Sequence, residues 1–205
     1  MQRGRGTLAR VVFCNMTARA RERWWWWGGC TVFVLALYVT LPLGRPVINW
    51  LRENVTHSQQ IGLVSGIFAM LGGGCAAYLA VNWRRFAPLA YICFAVFCRL
   101  YWLELQRLQQ YPEEQLHFVE YGVLAMLLHR AFAVDLKGVW PYVCAILLGA
   151  LIGLGDEGVQ GLTQHVLPER YWRYFGWSDV RINVLGVVYG LAFYAAVLRN
   201  RRRGA

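Results

Sequence analysis

Eight polar residues in the second half of this chain are of types that do chemistry: His117, Glu120, Asp156, Glu157, Gln160, Arg170, Asp179 and Asn183. His117 and Glu120 stand three apart, so a helix places them on one face. A histidine beside a carboxylate can pass a proton or help hold a metal, but two ligands do not make a metal centre and none is assigned. Asp156 and Glu157 are adjacent, and on a helix Gln160 lies one turn from both, able to tie down either carboxylate. Neighbouring carboxylates after an apolar run stay ionised cheaply only beside water or a cation. That pattern fits a binding site and an ion-paired helix end equally well.

Arg170 lies in the segment TQHVLPERYWRYFGWSD, where Tyr171, Trp172, Tyr174, Phe175 and Trp177 interleave with it and Arg173. An arginine there can clamp a phosphate in bidentate fashion, or simply anchor the segment among lipid headgroups. Asp179 and Asn183 are four apart, above Gly186, whose missing side chain admits a close neighbour. Ser178 just before them has the chemistry of a helix cap. Upstream, Pro112, Glu113 and Glu114 suit a helix start and its positive end.

The elements that must carry these residues are membrane helices. Of the 205 residues, 58% are hydrophobic and only 16% charged, a composition no ordinary soluble domain has. Apolar runs of roughly 17–25 residues, enough to cross about 30 Å of hydrocarbon as helix, predict six spans: 24–43, 61–81, 86–103, 115–134, 138–156 and 179–198. The runs are continuous rather than alternating, which excludes barrel strands. The expected fold is an all-α polytopic bundle. A basic cytoplasmic tail (1–23) precedes a three-span region (24–111), and a second three-span region (112–198) precedes a basic cytoplasmic tail (199–205).

Fourteen Lys and Arg residues fall on one side of these spans and six on the other, with Arg99 inside the third. The positive-inside rule then puts both termini in the cytoplasm. The opposite face would collect the start of the fourth span, the end of the fifth and the start of the sixth, and with them the polar residues. The formal charge of +10 follows from topology and attraction to anionic lipid, because the basic residues flank spans and form no groove-reading element; no nucleic-acid partner is assigned. Trp24–Trp27 reads as an interfacial anchor.

The first apolar stretch reads as an uncleaved anchor, since no A-x-A-like site follows it and Pro42–Pro46 looks like a loop entry. The six cysteines show no CxxC spacing and predict neither a zinc site nor a disulfide frame. Gly62 and Gly66, Gly149 and Gly153, and Gly186 and Gly190 are small-xxx-small pairs of the kind that let membrane helices approach, and Gly72–Gly74 thins the second span.

The order H-x-x-E-Y-G at 117–122, D-E-x-x-Q at 156–160, P-x-R at 168–170 and S-D-V-x-x-N-x-x-G at 178–186 resembles the VanZ-like family of bacterial membrane proteins. The resemblance covers residues 115–198. It implies a small helical protein of the bacterial inner membrane, in a family whose founding member is linked to resistance to the glycopeptide teicoplanin. It names no cofactor and no reaction. Three function classes fit the residues: a binding or resistance factor with an outward-facing pocket for a headgroup or ion, an accessory subunit of a larger membrane complex, and an enzyme acting on a lipid-linked substrate. Membrane lipids are expected partners in all three, and other membrane subunits in the second.

Overall fold

Among the described residues, the apolar runs and the short polar turns between them fold as six long helices. They are α1 (Arg5–Asn54), α2 (His57–Val81), α3 (Pro88–Arg107), α4 (Gln115–Ala133), α5 (Trp140–Val166) and α6 (Trp177–Phe193), the last continued by a π-helical turn at Tyr194–Leu198. This computed structural model describes residues 5–108 and 112–200, and all their side chains except those of 5–17, 42, 45, 113 and 170. The starts follow local chemistry. Thr56 caps α2 in a reciprocal capping box with Gln59, and prolines sit in the first turns of α3 and α5. Gly138 makes the α4–α5 turn at φ 68°, a backbone conformation that side chains disfavour.

Among the described residues, five helical segments are long and apolar enough to cross a membrane: Ala18–Leu41, His57–Val81, Pro88–Arg107, Trp140–Val166 and Trp177–Leu198. Together they make this a chain of multi-pass membrane character. Helix α4 is the exception, interrupted by His117, Glu120, His129 and Arg130. It is also the helix with most of its length in the core, where Phe118, Tyr121, Leu124, Ala125 and Leu128 are buried. A helix walled off from lipid by its neighbours can carry polar groups that an outer helix cannot.

Helices α4, α5 and α6 form the centre of the bundle. Gly122 of α4 and Gly190 of α6 meet backbone to backbone, so a Cβ on Gly190 would run into Gly122 itself. On α5, a Cβ at Gly149 would lie 2.8 Å from Val187, and one at Gly153 would lie 2.9 Å from Asn183. Helix α1 runs antiparallel along α4. At one end Arg23 pairs with Asp135 and Arg19 donates to the Val134 carbonyl; midway Trp27 meets Phe132 edge to face at 5.0 Å; further on the Tyr38 hydroxyl donates to the Ile152 carbonyl of α5 at 3.0 Å. Helices α2 and α3 stand on the other side of α4, joined to α6 through Phe97 and Phe193, 5.6 Å apart.

Three expectations are corrected. Pro42–Pro46 is not a loop, because α1 continues helical to Asn54. The fifth helix does not end at Asp156; it continues ten residues to Val166, so the two carboxylates sit within it. Ser178 does not cap α6, whose N-cap is Gly176; its hydroxyl donates to Asp179 instead. A Cβ on Gly62, Gly66 or any of Gly72–Gly74 would meet nothing within 4 Å, whereas one on Gly149, Gly153, Gly186 or Gly190 would meet a neighbouring helix. The cysteines with described side chains are all free.

Candidate functional site

Because α5 stays helical past Asp156, Gly153 and the side chains of Asp156, Glu157, Gln160 and Thr163 share one buried stripe turned toward α4 and α6. Asp156 is 2% exposed and Glu157 fully buried. Small residues make the room: Gly153 lies against Tyr121 and Asn183, and Gly186 of α6 against Phe118 and Tyr121.

The Tyr121 hydroxyl donates to one Asp156 oxygen, Oδ2, at 2.9 Å, and the other, Oδ1, has no hydrogen-bond partner among the described residues. Glu157 is held differently. Gln160 donates to its Oε1 at 2.8 Å and the backbone N–H of Gly176, the residue that caps α6, to its Oε2 at 3.2 Å. Asn183 donates to the Gly153 carbonyl at 3.4 Å and leaves its own Oδ1 unpartnered at zero exposure. Among the described residues no salt bridge reaches Asp156 or Glu157. Charge buried without a counter-charge is costly, more so among membrane helices.

A polar path leads outward from Asp156. The field of His117 acts on Asp156, and His117 Nδ1 lies 3.3 Å from Glu120 Oε2, close enough for an ion pair but off the line of a hydrogen bond. Exposure of these side chains rises from 14% at His117 to 41% at Glu120. Asp179 stands in the first turn of α6, receives the Ser178 hydroxyl at 3.1 Å, and is near enough to act electrostatically on Glu157.

The segment between α5 and α6 closes over this end of the bundle. Thr163 is its latch: its hydroxyl donates to the Gln160 carbonyl at 2.7 Å and accepts the Arg173 N–H at 2.9 Å. Gln164 donates to the Arg173 carbonyl at 3.0 Å, Trp172 to the Leu167 carbonyl at 2.7 Å, and Phe175 rests on Gly161.

Seven of the eight sequence candidates have described side chains, and these lie around the same end of α4, α5 and α6. The side chain of Arg170 lies outside the described residues. Arg173 is the guanidinium whose charge acts on both His117 and Asp156. Its Nη1 lies 3.3 Å from where Gly44 of α1 would carry a Cβ. Tyr121, Tyr38 and Thr163 also join the site without being among the sequence candidates. Tyr121 had a signal, one turn beyond His117 on the same face. Tyr38 had none, since only the packing of α1 on Gly155 brings its hydroxyl to the site, 2.8 Å from where Gly155 would carry a Cβ.

Chemically, the described side chains offer carboxylates in excess of fixed cations, a histidine that can change charge, and the Arg173 guanidinium. No group of three or more His, Cys, Asp or Glu side chains converges as metal ligands among the described residues. No protein-family profile, curated protein or solved structure matches this chain.

Proposed function

We propose that this chain is a VanZ-like protein of a bacterial inner membrane, with six spans, both termini in the cytoplasm, and an outward-facing polar site that binds a headgroup or an ion. One observation carries the reading: Asp156, nearly sealed inside a membrane-length helix, has one oxygen held by Tyr121 and the other without a hydrogen bond among the described residues. An ionisable group so placed is expensive unless it faces a wet path, a partner or a ligand. The route through His117 to Glu120 supplies such a path.

The balance of charges supports a ligand with a positive centre. Glu120, Asp156, Glu157 and Asp179 face only His117 and Arg173 as described basic partners, and Arg173 is positioned for the phosphate of a zwitterionic headgroup. The six-span reading is supported by the length of α4, 19 residues or about 28 Å of rise. The orientation is supported by Arg19, Arg23, Arg130 and Arg199 gathering at the end of the bundle away from the cluster.

The test is a titration of detergent-solubilised protein with short-chain phosphatidylethanolamine, short-chain phosphatidylglycerol and sodium chloride, read by thermal unfolding. One of the three should raise the melting temperature saturably. Asp156→Asn and Glu157→Gln should still insert and fold but weaken that response at least tenfold. Variants that respond like the parent protein would leave the cluster with a purely structural role. As a second readout, the family resemblance predicts that expression raises teicoplanin tolerance in a bacterial host and that Glu157→Gln abolishes the gain.

A further inference from the structure

On the face of α4 turned away from the polar cluster lies a cavity of about 440 Å³, bounded by α2, α3, α4 and α6. Val119, Gly122 and Met126 line it, on the stripe of α4 opposite His117, Tyr121 and Leu124. The helix therefore divides a polar site from an apolar one. None of the described residues that line it is charged.

Its shape follows the helices. Along α3 the lining runs from Phe94 to Leu105, a rise of about 16 Å, close to half of a hydrocarbon core about 30 Å thick. Phe94, Phe97 and Phe193 close the inner end with rings 5.6 and 6.3 Å apart. The other end reaches Leu105 and Phe118, at the level where α3 turns into α4. Leu71 and Trp102 line it while half exposed, so the slot opens sideways between the helices.

The α2 wall explains why the space exists. Ser65, Ala69 and Gly72 face it at helical spacing, and a Cβ on Gly72 would meet nothing within 4 Å. These small residues leave room where α2 could have packed against its neighbours.

We infer that this slot is a binding site for one hydrocarbon chain of a membrane lipid, running along the helices within a single leaflet. The surroundings decide the class of ligand. Three of the four walls are helices of membrane-crossing length and apolarity, so the medium at the opening is hydrocarbon, and an uncharged apolar cavity offers water too few polar partners. Length favours a lipid chain, because about 16 Å of lining is what one leaflet's hydrocarbon spans; a helix of another subunit is the competing outcome of the test. The inference does not depend on the polar cluster, which lies across α4.

The experiment uses the full chain in phosphatidylethanolamine and phosphatidylglycerol vesicles containing a trace of phosphatidylethanolamine with a diazirine at the end of one acyl chain. After photolysis, labelled peptides are mapped by mass spectrometry. Label should concentrate on Phe97, Cys98 and Met126, and Gly72→Leu should reduce it there at least tenfold. Gly73→Leu adds the same bulk one residue on, at an exposed position outside the slot, and should leave the labelling unchanged; Ser65→Leu fills the slot at another level and should repeat the loss. Thermal unfolding of each variant checks that the bundle is intact. Labelling that is uniform over outward-facing residues such as Met70 and Ile92, or that persists at full strength in a folded Gly72→Leu protein, overturns the inference. So does a parent protein whose slot residues are shielded by a cross-linked partner chain.

Discussion

Asp156 and Glu157 are neighbours in sequence with different attachments, and their substitutions should differ accordingly. Asn at 156 keeps an acceptor for Tyr121 and removes a buried charge, so Asp156→Asn should melt no lower than the parent protein while losing ligand response. Tyr121→Phe removes the hydroxyl that donates to Asp156 Oδ2 and should cost about 1–3 kcal/mol, the loss expected for a buried hydrogen bond to a charged group; denaturant or thermal unfolding in detergent measures it. Thr163→Val is the corresponding test of the latch. The Arg173 N–H would lose its acceptor at 2.9 Å, and stability should again fall by about 1–3 kcal/mol. A Thr163→Ser variant retains the hydroxyl and should stay close to the parent.

Among the helices, glycines that look alike in sequence divide into two kinds. Gly190 and Gly66 each belong to a small-xxx-small pair, but only Gly190 touches another backbone, that of Gly122. Gly190→Ala should therefore separate α4 from α6 and cost about 1–3 kcal/mol, as overpacking does. Gly66→Ala enters open space and should be neutral or stabilising by up to about 1 kcal/mol, the helix preference of alanine over glycine. Thermal unfolding of the two variants side by side decides the matter, and equal effects would contradict the packing described above. The segment between α5 and α6 behaves as part of the helical core, because Thr163, Gln164 and Glu157 all hold its backbone.

At the scale of the whole chain, α1 spans the bundle from Asp135, through Tyr38 and Ile152, to the Arg173 side chain at Gly44. Its contact at the basic end is an exposed ion pair, so Asp135→Asn should lower stability by less than about 1 kcal/mol. The proposed topology makes a sharper forecast. Cysteines introduced at Glu120 and Tyr174 of a cysteine-free variant should react with an impermeant reagent added outside intact cells, while one at Arg19 or Arg199 reacts only after permeabilisation. The opposite pattern would invert the proposed orientation.

Local features of the sequence determined the helices: continuous apolar runs of membrane length, prolines at helix starts, and turn residues between them. Helical spacing was enough to group His117 with Glu120 and Gln160 with Glu157, since such pairs depend on one backbone period alone. Spacing could not show where α5 ends, because Gln160, Thr163 and Gln164 read as a polar exit until the segment folding back on them supplies their partners. Nor could it separate the packed glycines from the open ones. Tertiary contact alone decided that Tyr38 and Arg173 join the site, that α4 is the shielded central helix, and that small residues on α2 border a cavity. Each of these depends on which face of one helix meets which face of another, and that is set by the fit of whole surfaces rather than by the order of residues along any single helix.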